Sequence, residues 1–123
     1  MGPPRYALWM CLAVLLGASC TSLQSRFSRL SSSYPAKPET FSVEVFENSL
    51  PQRPFERISR LDVHIEKTHF LPSAMKEALP ELQKQARLSG ADAIIEIQEK
   101  RSMLNETRIY HVTATGIRYT DTK

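Results

Sequence analysis

The run Leu15-Leu16-Gly17-Ala18-Ser19-Cys20 ends an apolar stretch in small residues and then a cysteine, and it limits how much of the chain is left to form a domain. Arg5 supplies the single charge of a short n-region, about Tyr6 to Leu16 form the apolar core, and Gly17, Ala18 and Ser19 are the small side chains a signal peptidase cleft admits. This is the layout of a bacterial lipoprotein signal peptide over residues 1–19. Cys20 is then the first mature residue, its thiol carrying a diacylglycerol and its freed amine open to a further acyl chain. At about 0.8 kcal/mol per buried methylene, two or more chains anchor stably where one does not. The apolar run is too short to span a bilayer, which takes about 20 residues. Tyr6 stands where N-myristoylation requires Ser or Thr.

Removal of the leader leaves a chain too short for two separate cores. Of the two cysteines, Cys11 departs with the leader and Cys20 is consumed by lipid. The mature chain therefore forms no internal disulfide, although it enters a compartment where small domains commonly rely on one. Its stability has to come from apolar burial, or from assembly with a second copy or a partner. The formal charge of +3 falls by one with Arg5, to +2, so the domain is nearly balanced, and export removes nucleic acid as a partner.

From Thr21 to about Glu39 the chain is rich in serine, with Pro35 and Pro38, and reads as a flexible tether following the acylated Cys20. About 19 such residues span roughly 25 Å as a coil, which holds the domain off the lipid surface. Leu23, Phe27 and Leu30 fall at i, i+4 and i+7 beside Arg26 and Arg29; this allows a short amphipathic segment on the headgroups, but the serines favour a solvated linker.

The folded part is expected over residues 40–120. Thr40 to Phe46 alternates as a half-buried strand, and Asn48 to Pro54 is a loop. A second strand runs from about Glu56 to Lys67 with Leu61, Val63 and Ile65 inward and Arg60, Asp62, His64 and Glu66 outward; His69 to Pro72 break it. Ser73 is placed to cap a helix whose stripe is Met75, Leu79, Leu82 and Ala86. Pro80 either kinks this helix or is the first residue of a helix preceded by a turn. Gly90 ends it in the left-handed conformation. Asp92 leads into a strand with Ala93, Ile95 and Ile97 inward, Asn105-Glu106 is a turn, and Arg108 to Tyr119 is a last strand with Gly116 at a bulge or close backbone approach. The expected fold class is α+β, one helix on a small mixed sheet in the order β-β-α-β-β, with a crossover to a parallel neighbour and a closing hairpin.

The segment from Leu79 through Gly90-Ala91-Asp92-Ala93 to Ile95, with Val112-Thr113-Ala114-Thr115-Gly116-Ile117 after a hairpin, resembles the helix, the "GADAI" corner and the "V-x-A-x-G" strand of two related groups. One is the outer-membrane lipoproteins that sense envelope stress for the Rcs phosphorelay; the other is the YbjQ-type family, named for heavy-metal binding. The resemblance covers about a third of the chain and carries small-residue signals rather than chemistry, so it implies a fold more than an activity. The sensors' domains are cross-linked by disulfides, which this mature chain has no cysteines to make. Thr21 follows Cys20 where an inner-membrane protein would carry Asp, so the enterobacterial sorting rule implies the outer membrane, with the domain facing the periplasm or the cell surface.

Residue chemistry points to no catalysis. The mature chain has no glycine-rich phosphate cradle and no G-x-S-x-G elbow, and its carboxylates are not paired across a cleft. The corner Gly90, Ala91, Asp92, Ala93 with Gly116 is a structural device. His64 and Glu66 share a strand face, and with His111 from another strand they are the weak candidates for a metal site. The sequence reading is a non-enzymatic, lipid-anchored envelope protein with a structural or sensory role, its partners the membrane and either an envelope protein or a second copy. No cofactor is expected beyond the covalent lipid on Cys20. The alternative is a metal- or small-ligand-binding module.

Overall fold

The computed structural model describes residues 22–68 and 74–121. The expectations that fall on Cys20 and Ser73 therefore lie outside the described residues. Among the described residues, five strands and one helix follow in the order β1 (Ser22–Arg29), β2 (Glu44–Val45), β3 (Phe55–Thr68), α1 (Met75–Ser89), β4 (Ala93–Leu104) and β5 (Thr107–Tyr119). The strands form one sheet in the spatial order β1-β3-β5-β4-β2. Only β2 and β4 pair in parallel; the other three contacts are antiparallel. The fold is α+β, with α1 covering one sheet face. None of the described helices is long and apolar enough to cross a membrane.

The first departure from expectation is the stretch assigned to the tether. Residues 22–29 form an edge strand against β3, with Leu23 opposite Ile65, Ser25 opposite Val63 and Phe27 opposite Leu61. These residues have a period of two, masked in the sequence because Ser25 is polar and because Leu23 and Phe27 also fit a helical period. Ser25 is held at the core edge by a relay in which Gln85 Nε2 donates to Ser25 Oγ (2.9 Å) and Ser25 Oγ donates to Glu81 (2.8 Å). The segment that follows is seated too: Lys37 N–H donates to the Arg87 carbonyl at 2.7 Å, and Tyr34 joins the core. The folded unit therefore extends back at least to Ser22, well before Thr40. Amide exchange should show this directly, with the β1 amides that bond to β3 protected far above the rate of a solvated linker; linker-like exchange through residues 22–29 would contradict the pairing.

The second departure concerns connectivity. The chain leaves β3, passes through α1 and enters β4 parallel to β3, but β5 lies between them. The crossover is thus a split β-α-β unit rather than a link to an adjacent strand, and the expected hairpin inserts its second strand into the gap. The expected strand over residues 40–46 contributes only two paired residues, Glu44 and Val45, at the far edge.

The core lies between α1 and the sheet: Leu61, Val63 and Ile65 from β3, Ile94 from β4, and Tyr110, Val112 and Ala114 from β5 meet Ala78, Leu82 and Ala86. The helix buries Ala78, Leu82, Gln85, Ala86 and Ser89, so Leu79 belongs to the flank rather than to the stripe. The helix continues through Pro80, which is exposed, as is Lys76, whose carbonyl loses its usual partner and is left to water. In β4 the expected inward trio is split. Glu96 has φ 54° and sits in a bulge between Ile95 and Gln98. Ile94 and Ile97 therefore face the helix, while Ala93 and Ile95 face the other way with Ile117.

Tyr110 is 1% exposed, and its hydroxyl is buried without a well-formed hydrogen bond. Burial, with the Glu99 carboxylate nearby, pushes its pKa up to about 12. A raised phenol pKa means that the fold holds its proton while the unfolded chain releases it, so the stabilisation is complete below pH 10 and is lost as pH rises toward 12. The shift corresponds to about 2–3 kcal/mol. Tyr110→Phe removes an unsatisfied hydroxyl at nearly constant shape, so its stability near neutral pH should equal or exceed that of the natural chain. Urea melts from pH 9 to 12 should show a decline in the natural chain that is smaller in the variant, where Tyr119 still titrates with a raised pKa.

Candidate functional site

The sheet face turned away from α1 has two unlike halves, and the bulges between Arg57 and Ser59 in β3 and between Ile95 and Gln98 in β4 mark the boundary. Beyond them, Ala93, Ile95 and Ile117 are fully buried without any help from the helix, covered by Phe46, Phe55 and Tyr119. The connection before β3 closes over this half: Thr120 N–H donates to the Pro54 carbonyl, and the Arg53 guanidinium stacks 3.8 Å from the Tyr119 ring centroid while bonding Asp121. Tyr119 also donates from its backbone to Asp92 and from its hydroxyl to Glu44. Burial, reinforced by Glu44, raises its pKa. At the seam, Arg57 of β3 reaches across β5 to Glu96 in the β4 bulge, Nε to Oε1 at 2.8 Å. The hydrogen bonds from Arg57 hold the Glu96 carboxyl below the usual range. Both side chains are close to half exposed, so this pair fixes geometry more than it stabilises.

The other half is polar and open. Alternation in β3 aims Arg60, Asp62, His64 and Glu66 outward, as the sequence implied, and the register places His64 directly opposite His111. The two rings meet edge to face with centroids 5.7 Å apart. Each ring already has a carboxylate: His64 Nε2 lies 2.9 Å from Glu66 and His111 Nε2 lies 3.2 Å from Asp62. Gln24 and Arg26 of β1, with Asp62, His64 and His111, line a shallow depression. A second one, on the other side of His111, is lined by Arg60, Gln98, Lys100 and Thr113 among others.

The structure thus brings the three weak metal candidates, His64, Glu66 and His111, onto one patch. Among the described residues, however, no group of three His, Cys, Asp or Glu side chains is arranged to hold a metal ion. The corner residues sit elsewhere, under the helix C-terminus. Gly90 has φ 86°, its N–H donates to Arg87, and the Ala91 N–H donates to Ala86, a Schellman closure. Asp92 bridges Lys37 and the Tyr119 amide, so its role is to tie the docked N-terminal segment to β5. Sequence reasoning missed Gln24 and Arg26 as part of the open face because the tether assignment removed them from the sheet; the period of two through Leu23, Ser25 and Phe27 is the signal that places them there.

No protein-family model, no curated protein and no solved structure matches this chain.

Proposed function

We propose that this is a lipid-anchored, non-enzymatic protein of the bacterial envelope whose domain binds another envelope component through the open half of its sheet. The division of that face carries the reading. A domain of this size covers its own apolar half with Phe46, Phe55 and Tyr119, yet presents Arg26, Arg60, Asp62, His64, His111 and Lys100 as an uncovered field of mixed charge. Mixed charge on a rigid sheet suits recognition of a polar protein surface, because it rewards one register and penalises others. The lipid layout at Cys20 supports a membrane location, and Thr21 after it favours the outer one.

A photo-crosslinking residue at Thr113, in the middle of the field, tests this in intact cells. It should capture one envelope protein in a yield that Arg60→Glu lowers, while the same probe at Lys84 on the exposed side of α1 captures none. Equal capture from both positions would overturn the reading, and capture of the chain itself would replace it with self-assembly. The facing histidines support a second reading, a weak divalent-metal site. Calorimetry with Zn²⁺ should then show stoichiometric binding lost in His64→Ala or His111→Ala.

A further inference from the structure

The register gathers one end of the sheet around the start of β1. Ser22 pairs with Glu66, Glu66 with Ile109 and Ile109 with Ser102, so four strands share one row. Beyond that row β3, β5 and β4 continue together for two more residue pairs, Thr68 and Leu104 both opposite Thr107, and the β4–β5 hairpin closes at Asn105-Glu106. The tip carries Met103 and Leu104, 61% and 65% exposed, the two most exposed large apolar side chains among the described residues. Leu23, 42% exposed, lies one residue inside the same end. Arg101 and Arg108 flank the tip, against Glu99 and Glu106.

We infer that this hairpin tip docks into the phospholipid bilayer that holds the acyl chains of Cys20, with Met103 and Leu104 entering the interfacial layer and Arg101 and Arg108 reaching its headgroups. The inference rests on the lipid-anchor reading above and on chain length. Cys20 precedes Ser22 by two residue steps, a reach of at most about 7 Å, and Leu104 projects roughly as far beyond the Ser22 row along its own strand. Three strand spacings of about 4.8 Å separate Ser22 from Ser102 across the sheet. The anchor and the tip therefore meet the same plane within some 20 Å of each other. Apolar side chains beside cationic ones are the pattern that seats a peripheral element at a lipid surface. The domain stands on the membrane on two feet, one covalent and one apolar, and its histidine face is directed to the side.

The sole tryptophan of the chain, Trp9, leaves with the leader, so Leu104→Trp in the full lipoprotein gives a single fluorophore at the tip. Reconstituted into phosphatidylethanolamine/phosphatidylglycerol vesicles, the variant should emit to the blue of free tryptophan in buffer and be quenched by lipids brominated on their acyl chains. In the natural chain, trypsin should cut after Arg101, on the free edge of β4, more slowly on vesicles than in buffer, and Met103→Glu/Leu104→Glu should restore cutting while flotation with the vesicles persists. A Leu104→Trp chain that is acylated by mass and floats, yet whose introduced indole is water-exposed and unquenched, overturns the docking and leaves the anchor reading standing. An unmodified Cys20 overturns both. A blue shift that depends on protein concentration rather than on lipid would assign the tip to self-association and overturn the docking as well.

Discussion

Gly90→Ala is expected to lower the melting temperature of the domain by about 10–20 °C, a loss of roughly 2–4 kcal/mol for a unit of this size. Two independent costs combine. The backbone at Gly90 has φ 86°, where an L-residue with a Cβ costs about 1–2 kcal/mol. A Cβ built there would also lie 2.7 Å from the Pro35 carbonyl oxygen and 2.8 Å from Tyr34 Cβ. Neither neighbour is the free end of a flexible side chain, so the whole 34–37 segment must move, and with it the 2.7 Å bond from Lys37 N–H to Arg87. Gly90→Asn separates the two costs, because Asn tolerates the left-handed region but still carries a Cβ. If Gly90→Asn is as stable as the natural chain while Gly90→Ala is not, only the backbone conformation matters and the seated segment is wrong. If both lose stability, with Ala the worse, the segment docks as described.

This outcome bears on what could be read from residues alone. The left-handed stop at Gly90 was legible, because a glycine after a helical stripe and before a β-branched run has few other uses. That Tyr34 and Pro35 press on it was not legible, because serine and proline around them carry the composition of a linker. The same limit hid β1. Alternation identifies a strand when the inward positions are apolar, as in Leu61, Val63 and Ile65, but β1 turns Ser25 inward and satisfies it with Gln85 and Glu81 from α1. Those partners lie far along the chain, and nothing local announces them. In β4 the period held until Glu96, whose positive φ inserts a residue and reverses the faces; no glycine or asparagine marks the spot. For the open face, the outward set in β3 was readable residue by residue, whereas the His64–His111 juxtaposition required the register between β3 and β5, which chain order alone does not determine.

Gly116→Ala should be nearly as damaging, and its rescue is the more informative measurement. The helix-facing positions of β5 shrink along the strand, Tyr110, Val112, Ala114 and then Gly116, and this taper lets the C-terminus of α1 close onto the sheet at Ser89 and Ala91. Gly116 lies opposite Ser59, beside the β3 bulge at Ile58, and a Cβ there would overlap Ser59 Oγ and stand 3.1 Å from Ala91 Cβ. Ser59 is fully buried and bonds Ser89 Oγ at 2.9 Å. Ser89 spends its own proton on the Ala86 carbonyl, so Ser59 is the donor of the pair. An added methyl at 116 pushes Ser59 Oγ off this partner, which combines overpacking with a stranded buried hydroxyl, about 2–4 kcal/mol together. Ser59→Ala alone removes one bond without orphaning Ser89, at roughly 1 kcal/mol. In the double variant the oxygen is gone, and the nearest atoms to the new methyl are Ala91 Cβ and Ser59 Cβ at 3.1 and 3.6 Å, a separation the corner absorbs with a small shift. The double variant should therefore be no less stable than Gly116→Ala, a coupling of about 1–2 kcal/mol in a urea-unfolding cycle. Strict additivity would mean that the two sites do not touch, and the close approach of helix and sheet at this corner would have to be abandoned.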